Sequence, residues 1–287
     1  MRRTLRAVVV VLTLAAASAA AAGVQQDDNK PNAPFRIAGN LYYVGSSGIS
    51  SYLITTPAGH VVIDAGYEST VPIIEANIRT LGFKVEEVRI LLNTQAHYDH
   101  AAGFAALKKD TGAQLMVSGP DADVIERGGV RDFSFGDKYP FPPAKVDRRL
   151  KDGDTVTLGK LTLHAHVTPG HTKGCTTWSF EVTENTRALQ VVEMCGLTVL
   201  DTTRLVGNAG YPEIVSDYER TFTALRKIPV DIFIGAHPAY YNGDEKAAKL
   251  KANPSGPNPF IDPDGYRRYI DTGERNFRER LAKEKGL

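Results

Sequence analysis

Cysteine is scarce in this chain. Cys175 and Cys195 are its only two, too few for the disulfide framework that holds small secreted folds together. Stability must therefore come from a core, and 287 residues with 42% hydrophobic content are ample for one. Long apolar runs are scarce too. Beyond the first two dozen residues none approaches the roughly 20 needed to cross a bilayer. Charge of one sign is also missing: 34 Lys and Arg against 33 Asp and Glu leave a formal +1. That balance offers no basic face for nucleic acid or for an anionic membrane. With no low-complexity segment and no linker, residues 23–287 read as a single domain.

The exception lies at the start. Met1-Arg2-Arg3-Thr4-Leu5-Arg6 is basic, residues 7–16 are apolar, and 17–22 supply small side chains. This is the order of a secretory signal peptide, with an apolar stretch too short for a good membrane span. We expect residues 1–22 to be removed, which takes away three arginines and moves the formal charge from +1 to about −2. The expected address is the bacterial periplasm or the cell exterior, with no membrane attachment after cleavage, and the expected state is a monomer.

Short β-rich runs at 41–44, 51–55 and 60–64, with Pro57-Ala58-Gly59 between the last two, predict a meander. Val71, Ile74, Ile78 and Leu81 recur at helical spacing, and Gly82 ends that helix. Val88-Arg89-Ile90-Leu91-Leu92 is of strand length, and 101–109 reads as the next helix. A strand at 113–117, a short helix at 121–127 and an aperiodic loop at 131–146 follow. Strands resume at 155–158 and 161–167, and a pair at 176–182 and 188–193 flanks the turn Thr183-Glu184-Asn185-Thr186. A helix at 218–228 precedes a strand at 230–234, and the charged segment 263–287 reads as a covering helix. Strands alternating with helices make this an α/β fold.

The densest chemistry sits where strand 88–92 ends, in Asn93-Thr94-Gln95-Ala96-His97-Tyr98-Asp99-His100. Strand ends of this kind are where open α/β sheets place their ligands. Two more histidines stand in turn settings, Pro169-Gly170-His171-Thr172 and Gly235-Ala236-His237-Pro238. Imidazole and carboxylate together suit zinc. Six donors are too many for one tetrahedral ion but fit two three-ligand sites, each with an open position. We group Gln95, His97 and His171 on a first zinc, and Asp99, His100 and His237 on a second. Zinc lowers the pKa of a bound water to about 7, and Asp99 is the candidate catalytic residue that orients the water and hands on its proton. Gln95 is the weakest donor of the six, since a neutral amide oxygen binds zinc less well than imidazole. A plain hydrogen-bonded loop would explain 97–100 but not His171 and His237. His60, His164 and His166 read as structural, and Asp64, Asp201 and Asp217 as caps or supporting acids.

These residues resemble the metallo-β-lactamase superfamily, whose signature is His-x-His-x-Asp-His on a strand-to-helix loop with later single histidines. The chain is most similar to the subclass B3 metallo-β-lactamases, in the branch with Gln at the first histidine position. Thr94-Gln95-Ala96-His97-Tyr98-Asp99-His100 and Pro169-Gly170-His171-Thr172-Lys173-Gly174 carry the likeness. Gly207-Asn208, Tyr211-Pro212, Ser216-Asp217-Tyr218 and Ala236-His237-Pro238 extend it over the whole domain from about residue 33. The resemblance implies a four-layer αβ/βα sandwich, two zinc ions between its halves, and a small-molecule β-lactam as substrate, so that the enzyme would confer antibiotic resistance.

Departures from that pattern matter. Relatives carry serines after the strand at 188–193 that help bind the substrate carboxylate, whereas this chain reads Met194-Cys195-Gly196. The resemblance then leaves Met194, Lys173 and Asn208 as substrate-binding candidates, with Arg204 a further possibility. The bridging Asp of superfamily lactonases and thioesterases is missing from the same place, which favours a lactamase-like site. A hairpin centred near Asn185 would set Cys175 opposite Cys195. Three states stay open for the pair: two free thiols, a disulfide, or Cys195 as a ligand to the second zinc. Two alternatives to a β-lactamase are weighed, a lactonase or other carbonyl hydrolase of the same fold and a non-catalytic zinc-binding periplasmic protein.

Overall fold

A computed structural model of the chain describes residues 28–287. The expected signal peptide lies outside the described residues. Two sheets carry the fold. The first orders seven strands in chain sequence: β1 (Phe35–Ala38), β2 (Leu41–Tyr43), β3 (Tyr52–Thr56), β4 (Gly59–Ile63), β5 (Val88–Leu92), β6 (Gln114–Ser118) and β7 (Arg148–Leu150). It starts as the expected antiparallel meander and turns parallel from β4 onward. The second holds β8 (Thr155–Leu158), β9 (Leu161–Val167), β10 (Thr176–Glu184), β11 (Arg187–Met194) and β12 (Ile232–Gly235) in the order β12-β11-β10-β9-β8.

Side-chain alternation along the first sheet explains the layering. Tyr52, Ile54, Val61, Ile63, Ile90, Leu92 and Met116 point into one core, which they share with Trp178, Phe180, Leu189 and Val191 of the second sheet. Leu53, Val62, Leu91, Leu115 and Val117 point the other way. There they meet α1 (Val71–Thr80), α3 (Phe104–Thr111) and α4 (Gly119–Glu126) through Ile74, Ile78, Phe104, Leu107 and Ile125. Between α1 and α3 lies the single-turn α2 (Tyr98–Ala101). A sheet buried on both faces needs apolar side chains at both periods, and β4 and β5 have them, apart from exposed Arg89.

On the far side, α5 (Ile214–Leu225) and α7 (Pro263–Glu284) cover the second sheet with Tyr218, Phe222, Tyr266, Ile270 and Phe277. Between them in sequence runs α6 (Gly243–Ala252). The result is helices, sheet, sheet, helices: the four-layer αβ/βα sandwich. Among the described residues no helix is long and apolar enough to cross a membrane.

The β10–β11 hairpin corrects the expected register. Trp178 pairs with Glu193 and Glu184 with Arg187, so its centre falls between Asn185 and Thr186, half a residue later than expected. Asn185 and Thr186 both take positive φ, the turn that matches strand twist in two-residue hairpins. Cys175 and Cys195 lie just beyond the paired residues and are joined in a disulfide, with Cα atoms 5.8 Å apart. This rules out two free thiols and a zinc-bound Cys195 in the folded chain. Two helix expectations also shift: α5 begins four residues before 218, and the metal motif itself contains α2, where a loop was expected.

Candidate metal centre

Each ligand-bearing segment leaves the carboxyl end of a strand. β5 leads to residues 93–100, β9 to His171 and β12 to His237. The first segment is tied down from both sheets. Asp64, just after β4, accepts hydrogen bonds from Thr94 N (2.8 Å), Thr94 Oγ1 (2.5 Å) and Asn93 Nδ2 (3.2 Å). From the other sheet, Thr176 N donates to Thr94 O at 2.7 Å and Trp178 Nε1 to Asn93 O at 3.1 Å. Asp64 stands at φ 60°, a conformation that costs a non-glycine residue roughly 1–2 kcal/mol. The three donors that hold its carboxylate compensate for that strain.

Asp99, His100 and His237 converge as expected. His100 Nε2 is 3.0 Å from His237 Nε2 and 3.3 Å from Asp99 Oδ2, and His237 Nε2 is 3.5 Å from the same carboxylate oxygen. Both rings are held from behind: His100 Nδ1 donates to Asp64 Oδ2 at 3.2 Å, and His237 Nδ1 donates to Gly48 O at 3.0 Å. Such backing bonds fix the tautomer that turns an Nε2 lone pair inward. Donors held tetrahedrally at zinc bond lengths stand about 3.3 Å apart, which the three observed separations straddle. The trio fits a divalent cation.

Electrostatics agree. Burial opposes charge on His100, but the Asp99 and Asp64 carboxylates outweigh it and lift its pKa to about 10. Burial likewise works against the Asp99 carboxylate, yet His100, His237 and His97 hold it well below the usual range. The site thus keeps a positive charge at its centre, a place a metal cation can take over.

His97 and His171 form a second group beside the first, their ring centroids 4.8 Å apart. Burial lowers the pKa of His97 to about 4 and of His171 to about 3. Both are therefore neutral at physiological pH, the state a metal ligand needs. His171 Nδ1 donates to Thr198 O at 2.7 Å, and His97 Nε2 is buried with no hydrogen-bond partner. Gln95 is buried too, with both amide atoms unpartnered. Unsatisfied buried polar atoms are costly, and cation binding would relieve His97 Nε2 and the Gln95 carbonyl oxygen.

Gly170 brings His171 into place. It adopts φ 141°, and a Cβ there would meet the Tyr218 ring at 2.8 Å. Thr221 Oγ1 donates to Pro169 O at 2.8 Å, and Tyr218 OH to Thr198 O at 2.9 Å, so α5 supports the His171 turn from below.

Asp121, read from sequence only as the start of a short helix, links the two loops. Its buried carboxylate accepts from Ala96 N (2.9 Å), Thr172 Oγ1 (2.8 Å) and Gly174 N (2.8 Å). One acid therefore spans from the residue between Gln95 and His97 to the neighbour of His171. Asp64 likewise proves to be more than a cap. Neither has a sequence signal of its own beyond being an acid near a motif.

The centre opens into a groove of about 820 Å³ that includes His97, Asp99, His171 and His237. Phe135 of the aperiodic loop packs edge-on against His97 at 4.9 Å, and Tyr98 stacks on Tyr139 at 4.2 Å. The three residues expected to bind substrate lie elsewhere. Met194 is fully buried and receives Thr177 Oγ1 on its sulfur at 3.7 Å. Lys173 Nζ sits over the Tyr211 ring at 5.2 Å and lines a separate cavity behind the loops. Asn208 staples its own turn, donating to Arg204 O and accepting from Tyr211 N. Met194 alternates into the core because β11 runs on through it, and the other two are not among the groove's lining residues. His60 packs on Phe83, and His166 Nε2 meets Ser179 Oγ at 2.7 Å, both far in role from the centre.

Comparison with known proteins gives the same picture. A family model described as the metallo-beta-lactamase superfamily matches residues 44–237. The chain is 40% identical to the native FEZ-1 metallo-beta-lactamase of Legionella gormanii, covering 90% of this chain and 98% of that one, with TM-score 0.87. It is 36% identical to LRA-12, a class B3 di-zinc metallo-beta-lactamase from an Alaskan soil metagenome, over 89% of this chain and 96% of that one, with TM-score 0.83. It is also 35% identical over 103 residues to a probable metallo-hydrolase of Burkholderia pseudomallei, or 36% of this chain and 34% of the relative. The chain thus spans about a third of the curated relatives it matches, several of which are hydroxyacylglutathione hydrolases.

Proposed function

The chain belongs to the metallo-beta-lactamase superfamily, and from that membership we propose that it is a zinc-dependent hydrolase that opens the β-lactam ring of penicillins, cephalosporins and carbapenems. The observation that carries the reading is the meeting of Asp99, His100 and His237 within 3.5 Å beside His97 and His171, with His97, Asp99, His171 and His237 lining one groove. In this proposal two zinc ions bind, one on Asp99, His100 and His237 and the other on His97, His171 and Gln95. Bound zinc supplies an ionised water near neutral pH and polarises the lactam carbonyl.

The chain's own residues do the rest. Asp99 turns one oxygen toward His100 and His237, leaving the other to orient the water and carry its proton to the departing nitrogen. Phe135 and Tyr98 wall the groove with apolar surface, which keeps water from the reacting bond and receives the substrate's side chain. Asp64 and Asp121 hold the ligand loops at fixed spacing. The protein is proposed to act after export, as a monomer on a small molecule.

The partial-length curated relatives named hydroxyacylglutathione hydrolase suggest thioester hydrolysis as a second reading, beside the lactonase that the fold also admits. Against it, Met194-Cys195-Gly196 at the end of β11 holds no carboxylate, and Cys195 is locked in the disulfide. Steady-state assays on nitrocefin, a carbapenem, an acyl-homoserine lactone and a glutathione thioester decide between them. We expect lactam turnover that disappears on chelation and returns with zinc. Lactone or thioester turnover without lactam turnover overturns the proposal.

A further inference from the structure

The groove has an uneven charge that the proposed reaction does not require. Asp28, Asp244 and Glu245 all line it, and among its described lining residues there is no Lys or Arg. Asp244 and Glu245 occupy the first turn of α6, where acids also suit the helix dipole. Glu245 shares its charge with Lys249, 2.6 Å away. Asp28 stands outside α6, next to the turn at Asn29. Its carboxylate lies against Gly48, whose carbonyl anchors His237. Aromatic rings line the same groove, Tyr67, Tyr98 and Phe135 among them. His97, whose buried Nε2 has no partner in the protein and is left for the proposed zinc, lines the groove with them, so the acids and rings share one space with the reacting centre.

Carboxylates and aromatic rings in one groove are the combination that recognises an organic cation, by charge attraction and by the ring quadrupole. Resting on the β-lactamase reading, we infer that this groove selects β-lactams bearing a positively charged substituent, such as a quaternary ammonium, over neutral analogues. The substrate's reacting end faces the histidines while its cationic arm lies among Asp28, Asp244, Glu245, Tyr67 and Tyr98. The selection acts on binding and on approach, so it falls mainly on KM.

Cefepime and cefotaxime test it, because they share one acyl side chain and differ in a fixed pyrrolidinium against a neutral acetoxymethyl arm. The quantity measured is the cefepime-to-cefotaxime ratio of kcat/KM in the zinc-loaded enzyme. Differences in leaving group cancel when that ratio is compared between enzyme forms. In the variant carrying Asp28→Asn, Asp244→Asn and Glu245→Gln, the ratio is expected to fall about fivefold, chiefly through KM. In the native enzyme it is expected to fall as salt rises from about 0.02 to 0.5 M, a series that stands even if the variant folds poorly. A ratio unchanged by both the substitutions and salt overturns the inference alone. Failure to hydrolyse either compound overturns the β-lactamase reading, and the inference falls with it.

Discussion

His100 Nε2 stands 3.0 Å from His237 Nε2, across 137 residues of chain and from opposite sheets. Neither ring can turn away, because each donates its Nδ1 proton backward, to Asp64 and to Gly48. The pair is preset for a cation. Replacing His237 with Ala should remove one zinc per chain, measured by metal analysis after dialysis, while the melting temperature of the chelated protein moves little. Unchanged stoichiometry would remove His237 from the ligand set.

Protonation should report the same event. Asp99 and Asp64 lift His100 against burial to about 10, so near pH 7 it carries a proton that it must lose to bind metal. His97 and His171, held at about 4 and 3 by burial, have none to lose. Zinc titration calorimetry in buffers of differing ionisation enthalpy should therefore show release of about one proton or more, and affinity should rise with pH toward 10. Heats independent of buffer would contradict this.

Asp99→Asn should lower kcat on the order of 10²–10⁴-fold while leaving the fold intact. The amide keeps the shape but loses the charge that His100 and His237 hold in place. Circular dichroism alongside nitrocefin turnover checks both halves of the statement. Turnover within tenfold of the native enzyme would deny Asp99 a part in proton transfer.

Asp121 gives a sharper test because three donors point at it. Asp121→Asn must turn its NH₂ toward one of them, so this near-isosteric change should cost about 1–3 kcal/mol in urea unfolding. It should also loosen zinc on His97 and His171 more than on His100 and His237. Equal loss at both sites would make Asp121 a general stability residue.

The disulfide closes a separation of 20 residues, and removing it with Cys175→Ser and Cys195→Ser should cost about 3 kcal/mol. Intact-mass analysis of unfolded protein should show no alkylation until reductant is added. Two alkylated cysteines without reductant would refute the bond.

Most of the fold was legible wherever side-chain period was strong. Strands β8 and β9 fall on the expected residues, and α1 ends one residue before the periodic Leu81. Signals failed where an element is short or charged. Single-turn α2 has no room for a period, β7 is Arg-Arg-Leu, and α6 is mostly Lys, Ala and acid with one buried lysine paired to Asp262. In the site, the histidines and Asp99 were readable because few other roles need that spacing. Asp64 and Asp121 were not, since hydrogen bonds to backbone N–H groups 25 to 53 positions away leave no local trace. Met194, Lys173 and Asn208, expected to bind substrate, are not among the groove's lining residues, because strand phase and turn geometry, which a sequence gives only coarsely, decide where a side chain goes.

The layering described for the two sheets has a mechanical corollary. His97, Asp99 and His100 hang from one half of the sandwich, His171 and His237 from the other, so a cation held by both acts as a rivet through the seam. Any mutation that lets the halves slip, however remote, should first show itself as leaking metal, well before the cores themselves melt.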